Sequence, residues 1–303
     1  MAARLRDHPG YLRFWCARVL SSLAFQVNAV AVGWLVYART GSALALGLVG
    51  LAQFMPMVVL TLPAGHVADR HDRRRILRLC QWGEAGISAL LLLGSLGAWP
   101  STAWIYVAVA LLGAARAFES PAMSALLPAL VPPALFGQAT ALSASANQAA
   151  TIMGPALGGL VYALDPAFPY ALSALCFALA GALSGGILLL QPLAPRAAAS
   201  WKSVFSGLVF IWHRKAILGC ISLDLFAVLL GGATALLPVF AGSILNTGPW
   251  GLGLLRSAPA IGALVMSMVL ARVRLRRGAG AKMFGAVIVF GLATIVFALS
   301  THI

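Results

Sequence analysis

The stretch G-H-V-A-D-R-H-D-R-R-R, residues 65–75, sets acids, arginines and histidines between two apolar segments, each long enough to cross a bilayer. Residues 43–64 carry no charge, and residues 79–98 carry only Glu84. A dense knot of charge between two such segments predicts a chain that crosses a membrane, turns at its surface and crosses back. The other segments can be placed relative to that turn.

Composition supports this reading along the whole chain. Hydrophobic residues make up 61% of the 303 positions and charged residues 9%, against about half and about a quarter in soluble domains. Nine apolar spans are predicted, at about 14–38, 43–64, 79–98, 103–120, 138–162, 168–190, 216–240, 250–271 and 283–300. They are too long and too evenly apolar for barrel strands, and backbone groups in lipid must be satisfied within each segment, so helices are expected. The fold class is therefore an all-α integral membrane protein.

The bases set the expected orientation. Arg4, Arg6, Arg13 and Arg18 precede or open the first span, Arg70, Arg73, Arg74, Arg75 and Arg78 follow the second, Arg196, Lys202, Arg214 and Lys215 follow the sixth, and Arg272, Arg274, Arg276, Arg277 and Lys282 follow the eighth. That places 18 of the 21 bases on one side, which predicts a cytoplasmic N-terminus. A formal charge of +14 distributed over alternate loops reflects topology, and nucleic-acid binding is excluded on that ground. The first apolar run is too long for a signal peptide and lacks a clear cleavage site, so it is read as a retained helix. Cys16, Cys80, Cys176 and Cys220 are scattered singly and read as small buried hydrophobes.

Residues 121–137 hold Pro128, Pro132 and Pro133 and read as a break after the fourth span. Residues 191–214 read as a cytoplasmic linker with an amphipathic surface segment, dividing a six-helix N-terminal half (1–190) from three helices (215–303). A transporter built from equal halves needs three further spans, so the C-terminal half is expected to be incomplete and the chain truncated.

Gly65, Asp69-Arg70 and Arg73-Arg74 fit the G-x-x-x-D-R-x-x-R-R pattern that the major facilitator superfamily carries between its second and third helices. With the preceding T-G-S-A-L-A-L-G, residues 40–47, the chain resembles the branch containing the enterobactin exporter and macrolide efflux proteins. The resemblance implies a major facilitator type bundle. It also implies that Asp69 acts as a latch, facing the N-terminal end of an eleventh helix in the outward-open state. On helix 5, Gly154-Pro155-Ala156-Leu157-Gly158-Gly159 resembles the G-P-x-x-G-G antiporter signature, although the family's glycine four residues earlier is Ala150 here. That signature implies export.

Ionisable groups inside spans cost several kcal/mol unless they face a partner or water, so they are functional candidates. Arg116 and Glu119, three apart, share a helix face and can pair; with Asp224, a lone acid in span seven, they are the proton-coupling candidates. Glu84 is expected to pair with the arginines of the turn. Arg256 is expected either to attract an anionic substrate or to pair with Asp224. Gln26, Asn28, Gln53, Asn147 and Gln148 are the polar cavity candidates, with interhelical hydrogen bonding as an equal explanation. In relatives the position of Phe25 often holds an acid, which implies that one coupling site is absent here.

His8, His66, His71, His213 and His302 show no metal-ligand spacing, no phosphate-binding loop is present, and no enzyme constellation or cofactor is expected. The expected function is a secondary transporter of the bacterial inner membrane, exchanging a small organic molecule such as a siderophore or drug for protons. Its expected partners are that substrate, protons and membrane lipid, and it is expected to be a monomer at full length. A proton-coupled importer and a non-transporting truncated protein are the alternatives.

Overall fold

The computed structural model describes residues 5–97, 101–190, 209–230, 236–272 and 279–300. Nine long helices fall among them: α1 (Pro9–Thr40), α2 (Ala43–Arg70), α3 (Arg73–Leu96), α4 (Ala103–Leu126), α5 (Phe136–Leu164), α6 (Phe168–Gly185), α7 (Lys215–Leu230), α8 (Gly248–Arg272) and α9 (Ala279–Leu299). Most of the linker expected at 191–214 lies outside the described residues, as do Arg4, Arg196, Lys202, Arg274, Arg276, Arg277 and His302.

Local chemistry sets the boundaries. α1 ends where Gly41 adopts a left-handed φ of 59° and donates its N–H to the Tyr37 carbonyl at 2.8 Å, a conformation that favours glycine. Ser42 then caps α2 by accepting from the Ala45 N–H. The charged stretch is not the loop expected from its composition. α2 runs through Pro63 and Gly65 to Arg70, and only His71 and Asp72 lie outside helix before α3 begins. Asp72 stops one helix and caps the next, accepting the Arg74 N–H at 3.0 Å. The expected break at 121–137 is also shorter. α4 continues through Pro121 to Leu126, followed by 3-10 turns at Leu127–Ala129 and Pro133–Leu135. Of the span expected at 216–240, α7 holds residues 215–230, residues 231–235 lie outside the described residues, and Leu237–Val239, with Pro238, runs into a π-helical turn at Phe240–Ile244.

Seven helices, α1–α4, α6, α8 and α9, are long and apolar enough to cross a membrane. α5 has the length but falls short in hydropathy, since Gln138, Thr140, Ser143, Ser145, Asn147 and Gln148 lie along its first half. α1 is the axis of the bundle: 61% of its apolar window is buried, against 11% for α2 and none for α9. α5 and α6 pack on α1, α2 packs on α4, α3 packs on α4 and α6, and α8 packs on α5. Hydrogen bonds pin these contacts, with Tyr11 Oη donating to the Ala139 carbonyl at 3.1 Å, Ser173 Oγ to the Ala24 carbonyl at 3.1 Å and Asn28 Nδ2 to Ser88 Oγ at 2.8 Å. A polar core cannot be left unpaired in lipid, so these bonds specify which helices meet. Val30 of α1 joins Leu237, Ala241 and Leu252 in one cluster, and Phe240 stacks on Phe297 of α9 at 4.7 Å between ring centroids.

Candidate functional site

Four features carry the residues that the sequence singled out. The first is the turn between α2 and α3. Asp69, at the end of α2, pairs across the turn with Arg73 at 3.5 Å, while buried Arg73 also donates to the carbonyls of Ala68 at 3.0 Å and Ala125 at 3.3 Å. Arg73 therefore ties the turn to the end of α4. Arg74 grips both oxygens of Asp72, at 3.2 and 2.9 Å, and reaches the Ile187 carbonyl beyond α6. The Arg74 side chain holds the Asp72 carboxyl below the usual carboxylate range. Arg70 is exposed and meets no polar group among the described residues. A side chain built on Gly65 meets nothing within 4 Å, so packing within this structure does not require glycine there.

The second feature is the small-residue face of α5. A Cβ on Gly154 comes within 2.5 Å of Gln26 Cβ, and one on Gly158 within 3.1 Å of Val27 Cα, both on α1. Gly159 faces the other way, where a Cβ lies 3.0 Å from Gly253 Cα on α8; in return a Cβ on Gly253 falls 2.6 Å from the Pro155 carbonyl oxygen. Helix 5 thus sits in backbone contact with α1 on one side and α8 on the other. Ser257 Oγ, 2.6 Å from the Ile152 carbonyl, and Gln148 Nε2, 3.0 Å from the Ala260 carbonyl, complete the α5–α8 contact.

The third feature is a buried polar seam joining α1, α3, α4 and α6. Glu119 is inaccessible, accepting at Oε1 from Ser21 Oγ at 2.6 Å and from Gln81 Nε2 at 3.1 Å, and at Oε2 from the Arg116 guanidinium. Arg116 also donates to Ser21 Oγ at 3.0 Å and lies over the Phe25 ring at 4.8 Å. Ser184 Oγ closes the network on Gln81 Oε1 at 2.6 Å. The pairing of Arg116 with Glu119 follows the three-residue spacing; Ser21, Gln81 and Ser184 had no signal beyond being polar residues in apolar spans. Glu84 does not pair with the arginines of the turn. It faces inward from α3, fully buried within electrostatic reach of Glu119, Arg116 and Cys80, and neither carboxylate oxygen has a hydrogen-bond partner among the described residues. The expectation failed because α3 presents position 84 to α4, away from its own arginine-rich first turn.

The fourth feature is a cavity of about 100 Å³ whose lining includes Phe25, Asn28, Gln53, Leu46, Val109 and Arg256. Of the polar cavity candidates it gathers Asn28, Gln53 and Arg256. Gln26 packs its stem on Gly154, Asn147 accepts from Ser22 Oγ at 2.9 Å, and Gln148 bonds α8, so these three serve helix packing. Arg256 forms no hydrogen bond or ion pair among the described residues, and Asp224, exposed on α7, forms none either, so the two are not paired.

Apolar helices around a polar seam and a cavity define a multi-pass helical membrane protein. The chain belongs to the transmembrane secretion effector family of the major facilitator superfamily, whose model matches residues 5–303. It is 24% identical over 154 residues to macrolide efflux protein A of Streptococcus pyogenes, covering 51% of this chain and 38% of that protein. It is 28% identical over 183 residues to the staphyloferrin A transporter of Staphylococcus aureus, covering 59% and 44%. With the multidrug efflux pump Tap of Mycobacterium tuberculosis it shares 29% identity over 305 residues, covering 93% of this chain and 70% of the pump. The chain thus spans less than half the length of the first two relatives. Its fold resembles that of a bacterial homolog of the human lysosomal transporter Spinster in an inward-facing, unoccupied conformation. The TM-score is 0.68 at 13% identity, covering 92% of this chain and 66% of that one. These relatives are transporters, and the chain's family is one of transporters, not enzymes.

Proposed function

We propose that this chain belongs to a secondary transporter of the bacterial inner membrane that exports a small organic molecule in exchange for protons by alternating access. The named relatives, two efflux proteins and a siderophore transporter, favour export of a drug-like or siderophore-like molecule. The bias of bases to one side favours a cytoplasmic N-terminus, with the α2–α3 turn on that face. Asp69, engaged with Arg73 here, is the latch that trades this partner for the second half during the cycle.

One observation carries the coupling: Phe25 belongs to both sites, lining the cavity on one side and lying under Arg116 on the other. A molecule entering the cavity presses on the ring that seats Arg116, and Arg116 holds Glu119. Glu119 is locked by three donors, whereas Glu84 has none and is the carboxylate free to exchange a proton. Its charged surroundings are Glu119 and Arg116 of α4, with Arg18 of α1 beside that pair. Asp224 shares none of these contacts.

The test is accumulation of the anionic dye carboxyfluorescein in everted vesicles carrying a proton gradient, acid inside. Glu84→Gln is expected to abolish gradient-driven accumulation while leaving exchange of the dye across the membrane without a gradient. Undiminished accumulation in that variant would move the coupling site elsewhere, Asp224 first. Uptake into right-side-out vesicles together with protons would overturn export itself.

A further inference from the structure

We infer that the cavity is a recognition site for an organic anion, with Arg256 as the group that binds its negative charge. The inference deepens the transport reading above by naming the class of molecule, and it concerns binding alone.

Arg18 of α1 leaves its buried Nε without a hydrogen bond, but it sits beside Arg116 and Glu119 and not on the cavity wall, whereas Arg73 and Arg116 are paired. Arg73 pairs with Asp69 and two carbonyls, and Arg116 with Glu119 and Ser21. Arg256 has no polar partner among the described residues, although it lies in the middle of α8 with its guanidinium near the α1 backbone at Gly33. A guanidinium held away from water without a counter-ion is costly, and the cost is recovered only when an anion arrives. Its planar fork suits two oxygens of a carboxylate better than any single-point acceptor.

The rest of the wall agrees with an organic acid. Asn28 spends its amide N–H on Ser88 and leaves its buried Oδ1 without a partner, an acceptor waiting for a hydroxyl or N–H on the same molecule. The Gln53 amide, also on the wall, has no hydrogen bond among the described residues. Phe25, Val32, Leu46 and Leu112 supply an apolar surface for the carbon body. Among the described residues no carboxylate side chain lines the cavity, so none of them offers a cationic solute a counter-charge there.

The experiment uses the purified chain in neutral detergent and two dyes with one xanthene body, fluorescein as the anion and rhodamine 6G as the cation, read by fluorescence anisotropy. Fluorescein is expected to bind and to be displaced by citrate. Arg256→Gln weakens it by about tenfold or more, the scale of one charge-assisted contact, and Arg256→Lys by less. Gln53→Leu, on the opposite wall, weakens fluorescein by a few-fold, which keeps the test open if Arg256→Gln does not fold. Rhodamine 6G is expected to bind no more weakly to Arg256→Gln than to the parent.

Phosphatidylglycerol in the micelle distinguishes the source of the anion. Displacement of the dye by it, lost in Arg256→Lys and Gln53→Leu, supports the site with a lipid headgroup as occupant. No displacement supports it with a soluble acid. Equal loss of both dyes in Arg256→Gln, undiminished fluorescein binding in that variant, or no fluorescein binding to the parent would each overturn the inference. Failure of proton-driven export leaves all these readings intact, so the two proposals fail separately.

Discussion

Glu119 and Asp224 are both acids set in apolar helices, and they occupy opposite kinds of place. Glu119 is sealed among α1, α3 and α4 with a serine, an amide and an arginine on its two oxygens. Asp224 is exposed on α7 and meets no polar group among the described residues. Sequence reading weighs them alike, because hydropathy registers only that a charge interrupts a span. The difference shows that an acid in a membrane helix acquires meaning from the neighbouring helices. The same contrast separates the two regions: α1–α6 are knit by buried polar bonds, whereas α8 rests chiefly on glycine and serine against α5, with Leu252 meeting Val30 of α1 in an apolar cluster.

The largest expected effect would break or confirm that contrast directly. Glu119→Gln leaves Arg116 buried without its counter-ion and is expected to cost about 3–5 kcal/mol, seen as a fall in melting temperature of the detergent-purified protein. Asp224→Asn is expected to change stability by no more than about 0.5 kcal/mol. Equal shifts in the two variants would erase the distinction. Next comes the α5–α8 contact, where Gly159→Val forces a side chain into the backbone at Gly253 and is expected to cost about 1–3 kcal/mol. Cross-linking between cysteines placed on α5 and α8 should fall in parallel, and unchanged cross-linking would show that the interface yields elsewhere.

At the charged turn the effects are smaller. Asp72→Ala removes the cap of α3 and is expected to cost about 1 kcal/mol. Because Arg74 lowers the folded-state pKa of Asp72, its contribution is complete above the unfolded carboxylate value near about 3.9 and disappears as pH falls through the lower folded value. Melting curves of parent and Asp72→Ala should therefore stay apart down to about pH 3.9 and converge only as pH falls further, through the lowered folded value. Persistent separation there would assign the loss to helix geometry alone. The smallest change has the opposite sign. Gly65→Ala, in a helix with open space around it, is expected to stabilise by about 0.5–1 kcal/mol, and any loss of transport in that variant would belong to a second conformation in which the glycine is packed.

Much of the fold was legible because its signals are local. Hydropathy alone placed the end of α1 and the start of α2 within two residues, at 38 and 43, and the left-handed Gly41 followed by the capping Ser42 is the short-range device that fixes that boundary. The charged stretch was misjudged in form and not in place: arginine and aspartate are ordinary helix residues at a membrane surface, so composition alone could not show that helix continues to Arg70. The span expected at 216–240 agrees with α7 over its described part, Lys215–Leu230. In the site, Arg116–Glu119 was readable because the two residues share one helix turn. Glu84 was assigned to the nearest arginines in the chain, and the actual neighbours lie on another helix.

Beside the motifs at 65–75 and 154–159 that carry the family likeness, the sequence by itself determined that this chain is a helical membrane protein, where most of its helices run and which stretches collect arginine. Those properties follow from the cost of polar groups in lipid, which each segment meets on its own. Only the tertiary structure decided that Ser21 reaches Glu119 across 98 residues and Ser184 reaches Gln81 across 103, that Phe25 separates the seam from the cavity, and that Arg256 stands there unpaired. Such meetings depend on how each helix is rotated about its axis, which is fixed by packing against several partners at once and leaves no mark in any single stretch of sequence.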